Sequence, residues 1–347
     1  MDHIAIDVGG RKSFVCVRSE GGEILESKSV ETDALGRFLR KREKSRVLME
    51  TCAESFSIAD EALRLGHDVR VIPSAKVRVL GVGHHGIKTD RRDAEVLSEV
   101  STRINLKGVH IPSAQARELK AKLSARDALV GCKVALINNC RGILRGQRIR
   151  IRASTAKSFV KAVRSKFAGR GLATPVELDR SLTCILALAE QIREADLELA
   201  EFSKSHEICR RLRSVPGVGS VTSVAYLATI DEVQRFEGAH ALESYVGVVP
   251  GEDSSSDRVR RTAITKAGPQ RLRRLLVQAA WVALLRRPSD PMVQWARRIA
   301  IKRGKNVAVV ALARKLAGIL FAMWRDGTDY DPCCGAARPP TDTPTMN

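Results

Sequence analysis

Three short apolar runs constrain this chain more than any other feature. HIAIDV (3–8) ends at Gly9-Gly10, RVLME (46–50) closes on an acid, and DVRVI (68–72) stops at Pro73. Runs of this length, rich in Ile and Val, are strands rather than helices. SFVCVR (13–18) and EILESKSV (23–30) flank Gly21-Gly22, the signature of a hairpin. Residues 32–44 and 55–65 carry helical periodicity, the second closed by Gly66, and 90–103 reads as a further helix. The order strand, strand, strand, helix, strand, helix, strand, helix predicts an α/β domain over 1–110. In it, a mixed sheet carries helices on its faces.

The rest of the chain has a different rhythm. Residues 113–150 and 176–213 are two long helical stretches without internal proline, with apolar positions three and four apart such as Leu119, Leu123, Leu129 and Leu136. This pattern fits a helical arm or coiled-coil pair, or an ordinary helical bundle, over 111–213. A third region, 214–326, opens on SVPGVGS and continues as helices. VPGVGS (215–220) resembles a helix-hairpin-helix turn, whose glycines let backbone amides approach a phosphate closely. The tail, 327–347, is rich in Pro, Thr and Gly and reads as disordered.

Charge points to the partner. The 347 residues include 59 Lys plus Arg against 39 Asp plus Glu, a net charge of +20. Such a surface attracts phosphate backbones and releases counterions on binding them. Two stretches contain no acid at all. One, 141–170, holds ten basic residues including Arg141, Arg145, Arg148 and Arg150. The other, 258–274, holds seven, among them Arg258, Arg260, Arg261, Lys266 and Arg273. Aromatics are only 4% of the chain, which argues against single-strand binding by base stacking. The eight cysteines form no paired CxxC motif, so a zinc site is not expected; most are read as buried thiols in a reducing cytosol. The chain opens at once on a strand, so no signal peptide is expected, and the most apolar late stretch, 307–321, is broken by Arg314 and Lys315. The expected location is cytoplasmic, at the bacterial nucleoid, with no membrane partner.

Four acids in the first hundred residues suggest chemistry. Asp7 closes the first strand, Glu50 closes RVLME, and Asp90 and Asp93 lie three apart at a helix start, which puts both on one face. The first strand and RVLME can be neighbours, and the helix from Asp90 can cross their ends. Clustered carboxylates repel unless a cation lies between them. Hard oxygen ligands suit Mg2+ or Mn2+, and two such ions can clamp the attacking and leaving oxygens of a phosphoryl transfer. Taken singly, three of the acids also fit plainer roles. Asp7 before Gly9-Gly10 fits the phosphate loop of a sugar-kinase fold, Asp90 can cap its helix, and Asp93 can favour the helix dipole.

The segments AIDVGG (5–10), MET (49–51) and KTDRRDA (88–94) resemble the catalytic motifs of the RuvC-like DEDD transposases. These form the insertion-sequence family called "one-ten", with the Piv-type DNA invertases. The resemblance runs from about residue 3 to residue 325. It implies a ribonuclease-H-like (RuvC-like) N-terminal domain, whose element order the first hundred residues share, and an α-helical C-terminal transposase domain. YVGVVPGEDSSSDRVRRTAITKAGPQRLRR (245–274) resembles that second domain. Counted from Pro250, the family's nucleophilic serine falls on Ser255, with Ser254 and Ser256 as alternatives. Ser256 stands where the family has glycine, and Pro269 where it has asparagine. The resemblance further implies a serine–DNA covalent link, metal held by the acids, and a noncoding bridge RNA that pairs with donor and target DNA. It also implies a homo-oligomer (dimer or tetramer) in which the acid domain of one subunit meets the serine domain of another. Arginines around the serine would stabilise developing charge on phosphate.

Four functions compete: a metal- and serine-dependent transposase, a Holliday-junction-type nuclease using the acids alone, a non-catalytic nucleic-acid-binding protein, and a sugar-kinase-type enzyme. The charge speaks against the last. Tyr245 invites a tyrosine nucleophile, but its apolar surroundings in sequence place it in the core.

Overall fold

The computed structural model describes residues 1–79, 89–153, 155–253 and 261–332. The chain divides into two compact units, Met1–Pro112 and Ser113–Asn347.

The first unit is built on a five-stranded sheet. Its strands are β1 (His3–Asp7), β2 (Lys12–Arg18), β3 (Ile24–Glu31), β4 (Arg46–Glu50) and β5 (Asp68–Ile72), in the order β3-β2-β1-β4-β5. β1, β2 and β3 pair antiparallel through hairpins, whereas β1, β4 and β5 are parallel. Parallel strands need a crossover, and α1 (Leu35–Arg40) and α2 (Ser55–Arg64) supply it. β1 lies at the centre, so residues 3–6 are buried on both faces and the strand reads as a continuous apolar run. β3 is one of the two edges, and its Glu26, Lys28 and Glu31 give it the charge that discourages further pairing.

Each face of the sheet has its own cover. Ile4, Ile6, Val15, Val17, Val47 and Met49 face α1 and α2, where they pack with Leu35, Leu39, Ile58 and Ala62. Ala5 and Leu48 point the other way and pack under Leu97 of α4 (Asp90–Arg103). A short helix, α3 (Ser74–Val79), follows β5. A mixed sheet covered in this way is compatible with a ribonuclease-H-like domain. The helix expected over 32–44 is shorter, with a single 3-10 turn (Thr32–Ala34) ahead of α1.

The second unit is helical. α5 (Ala114–Gly146) and α7 (Val176–Ser205) are antiparallel. Leu119 and Leu123 meet Leu199 at one end, and Cys140 and Leu144 meet Leu178, Leu182 and Ile185 at the other. α6 (Ala156–Ala168), started by a Thr155–Ser158 capping box, completes the second cluster with Phe159, Val163 and Phe167. α8 (Glu207–Leu212) and α9 (Ser220–Ile230) bracket the SVPGVGS turn. Beyond them come α10 (Ala239–Val246), the hairpin β6 (Pro250–Glu252) and β7 (Arg261–Ile264), α11 (Gln270–Arg286), α12 (Pro291–Arg303) and α13 (Lys305–Asp326). The two strands interrupt a region whose sequence reads as helical throughout.

α13 corrects a second expectation. It is long and apolar enough to cross a membrane by length and composition, with a mean hydropathy of 1.8. In this fold it is the core helix: Leu312, Leu316 and Leu320 are fully buried, and Tyr226 donates its hydroxyl to the Ala317 carbonyl at 3.0 Å. Order also continues past 326. The Tyr330 amide donates to Ser214 Oγ at 3.1 Å, and its hydroxyl donates to the Asp290 carboxylate. Of the six described cysteines, Cys16, Cys140 and Cys209 are buried but Cys132 and Cys184 are exposed.

Candidate active site

The parallel register sets His3 beside Arg46 and Ile6 beside Met49. One step further, Asp7 and Glu50 end their strands side by side, on strands about 4.8 Å apart. Side chains alternate along a strand, so Asp7 shares the face of Ala5, and Glu50 that of Leu48. Both acids therefore project on the α4 side.

α4 is fixed over that face by specific contacts. His3 Nδ1 lies 2.6 Å from Ser101 Oγ, and Ser98 Oγ lies 3.3 Å from Cys16 Sγ. Burial lowers the His3 pKa and raises that of Cys16, disfavouring the charged form of each in this seam. From Ser101 back to Asp93 is eight residues, about 12 Å along a helix. From His3 forward to Asp7 is four residues, about 13 Å along a strand. Asp93 thus comes level with Asp7. It belongs to the buried stripe Asp93, Ala94, Leu97, Ser98, Ser101 and is 9% exposed.

Asp90 is placed differently. Thr89, not Asp90, caps the helix, accepting the Arg92 amide. Asp90 sits one turn further out and is exposed, so the two aspartates do not share a burial state despite their spacing. Among the described residues, no three of Asp7, Glu50, Asp90 and Asp93 bring carboxylate oxygens within 4.8 Å of one another. Like charges at such range repel. The donor set consists of carboxylate oxygens, which fits a hard divalent cation.

The serine motif lies largely outside the described residues: Ser254, Ser255, Ser256, Arg258 and Arg260 all fall there, and Arg261 is described only as the first residue of β7. The base of that segment is well defined. β6 and β7 pair Pro250 with Ile264 and Glu252 with Arg261. Below them, Gly247 and Gly268 interlock. Both have positive φ (75° and 77°); a Cβ on Gly247 would overlap the Ala267 carbonyl, and one on Gly268 the Tyr245 carbonyl. Arg273 closes the junction, donating from Nη1 to the carbonyls of Val246 (2.9 Å) and Ala267 (3.0 Å). Arg273, expected to contact nucleic acid, thus also has partners in the backbone of its own unit. Lys266 is exposed, with φ 54°. Pro269 occupies the α11 N-cap and supplies no side-chain cap.

Two more arginines of the basic stretch have internal partners that sequence reasoning missed. Arg271 Nε and Arg274 Nη2 both donate to Asp127 Oδ2 of α5, at 2.9 and 2.8 Å. The partners are 144 and 147 residues apart, too far for any sequence pattern to show. Tyr245 is 38% exposed rather than core, edge-on to Phe236 at 5.2 Å and covered by the Arg235 guanidinium at 4.7 Å.

The first basic stretch forms a true concavity. Arg141, Arg145, Arg148, Arg150 and Arg152 line a cavity of about 960 Å³ at the C-terminal end of α5. Arg148 has φ 58°, a left-handed conformation unusual outside glycine, and the Arg141 guanidinium lies 5.6 Å from the centre of the Phe159 ring. Among the described residues, none of the five pairs with an acid.

The first unit thus carries acids at the strand ends of a mixed sheet, and the second is a helical unit with a basic cavity. Residues 4–148 match the family model for the DEDD transposase of IS110, and residues 209–294 match the one described as "Transposase IS116/IS110/IS902 family". The transposase of insertion sequence element IS1111A from Coxiella burnetii is 27% identical over 96% of this chain and 92% of its own length. The IS1328 transposase from Yersinia enterocolitica is 28% identical over 94% and 98%. A probable family 20 transposase from Pseudomonas aeruginosa is 29% identical over 85% and 88%. The class is that of the DNA transposases. The chain belongs to the IS110 family of DEDD insertion-sequence transposases.

Proposed function

We propose that this transposase cuts and rejoins DNA with two sets of groups: Asp7, Glu50, Asp90 and Asp93 holding Mg2+ or Mn2+, and Ser255 as nucleophile. One arrangement carries the reading. Asp7 and Glu50 end adjacent parallel strands on one face, and the contacts of α4 with β1 and β2 direct buried Asp93 toward that same end. Carboxylates gathered at one end of a sheet repel one another, and a cation among them offsets that repulsion.

A bound divalent ion would neutralise the acids and stabilise charge developing on the scissile phosphate. The rest falls to the chain. Ser255 Oγ forms a bond to phosphorus as one strand's P–O bond breaks. The hydroxyl proton leaves to solvent, the departing sugar oxygen takes up a proton, and the phosphodiester's energy is kept in the serine link for rejoining. Arg258, Arg260, Arg261 and Lys266 supply positive charge around the reacting phosphate. The interlocked glycines and Arg273 hold the hairpin that carries this segment. Arg141, Arg145, Arg148 and Arg150 grip nucleic-acid backbone, and the VPGVGS turn serves as a helix-hairpin-helix contact. The partners are donor and target DNA, a bridge RNA and further copies of this chain, in the bacterial cytoplasm.

The test is recombination of a circular donor with target DNA, with and without copurified RNA, for wild type and Ser255→Ala. Loss of covalent protein–DNA product and of strand transfer in Ser255→Ala supports the reading. Full activity of the variant sinks the serine role, full activity without RNA sinks the guide, and cleavage without transfer favours a nuclease that uses the acids alone.

A further inference from the structure

The segment GRFLRKREK (36–44) has no part in the chemistry above, yet it builds a second basic concavity. Lys28 and Val30 of β3 and Arg37, Phe38, Arg40, Lys41 and Arg42 around the end of α1 line a cavity of about 610 Å³. Lys28 and Arg42 share Glu26 as an acid partner and both lie against the Phe38 ring, 5.2 and 4.7 Å from its centre. Arg37, Arg40 and Lys41 are exposed, and none pairs with an acid among the described residues.

This cavity lies on the opposite face of the sheet from the acids. Lys28 stands beside Val15, which packs on the α1–α2 side, whereas the next residue, Cys16, meets Ser98 of α4. Asp7, Glu50 and Asp93 are on the α4 side. The sheet and its two side-chain layers separate the faces by about 10 Å or more. A strand reacting at the acids therefore does not lie in this cavity.

We infer that the α1 face of the first unit is an anchoring site for the sugar–phosphate backbone of a non-reacting duplex DNA segment. It rests on the reading of the chain as a DNA-acting enzyme and adds a second point of grip. The chemistry favours a duplex over unpaired strands. Unpaired bases are held by stacking on aromatics, and Phe38, the one aromatic lining this cavity, already carries two cations, Lys28 and Arg42. What remains on offer is three exposed positive charges in a concavity, which suits phosphates and carries no sequence preference.

The test is binding of a fluorescent 30-base-pair duplex by full-length protein in EDTA, measured by anisotropy from 50 to 200 mM salt. Chelation separates binding from catalysis, so the outcome does not depend on Ser255 or the acids. Arg37→Gln/Arg40→Gln/Lys41→Gln alters three exposed side chains and should melt at the wild-type temperature. Its salt slope should fall by about 2.7, equivalent to a roughly 40-fold smaller loss of affinity across that salt range. A slope and affinity equal to wild type would overturn the inference. So would a loss confined to a single-stranded oligonucleotide or to an RNA hairpin of matched length.

Discussion

Replacing Asp127 by Ala should move stability and DNA binding in opposite directions. Asp127 is 23% exposed in its side chain and accepts from Arg271 and Arg274, which are 30% and 61% exposed. A charge-assisted hydrogen bond contributes about 1.5–3 kcal/mol, and a fully exposed ion pair under about 1 kcal/mol. The Arg271 bond falls between these limits and the Arg274 bond near the lower one, so the loss is about 2 kcal/mol. For a unit of this size that lowers the melting temperature by roughly 4–8 °C. The same change frees two guanidiniums beside the serine-bearing hairpin. If they reach phosphate, the salt slope of duplex binding rises by up to about 1.8. Thermal denaturation followed by circular dichroism reads the first effect, and anisotropy at 50–200 mM salt the second. An Asp127→Ala protein that melts lower yet binds with an unchanged slope would show that 271–274 is purely structural. One that melts at the wild-type temperature would refute the Asp127 clamp itself.

Gly268→Ala should cost about 3 kcal/mol, combining a left-handed residue with a clash against the Tyr245 carbonyl, and should depress melting by roughly 6–12 °C; wild-type stability would contradict the interlock. Burial pushes the Cys209 thiol from an ordinary 9.0 up to about 12. Its contribution is complete below pH 9, where the unfolded thiol is also protonated, and is lost as pH rises from 9 toward 12, at about 1.4 kcal/mol per pH unit. Cys209→Ala should flatten that alkaline decline in melting temperature, and an identical profile would refute it. Iodoacetamide at pH 8 should label exposed Cys132 and Cys184 in the native protein and spare Cys209; labelling of Cys209 at the same rate would contradict its burial.

Local chemistry makes much of the first unit legible. HIAID, RVLME and DVRVI are strands because they are short, β-branched and bounded by turn formers, and Gly22 takes φ 94° in the hairpin. The adjacency of β1 and β4 is within reach of the element order, and with it the pairing of Asp7 and Glu50. Their shared face follows from the two-residue period of a strand once the register is known. Asp90 escapes such reasoning because i, i+3 spacing describes one helix face but not how far that face is covered. The α1 cavity is hidden in the sequence because GRFLRKREK reads as a solvated helix end; only the fold brings Lys28 beside it. Arg271, Arg273 and Arg274 look like free cations for the same reason. Their acceptors, Asp127 and the carbonyls of Val246 and Ala267, are distant in sequence or belong to the backbone.

If the strand-end acids form a divalent cation site, they bind metal in the absence of any substrate. Mn2+ titration of the full-length protein, followed by electron paramagnetic resonance of the free ion, tests it without DNA, RNA or turnover. Wild type should withdraw Mn2+ from solution, and Glu50→Gln, folded and melting close to wild type, should lose that binding at least tenfold. Equal Mn2+ uptake by the two proteins would contradict the assignment of Glu50, and with it the site.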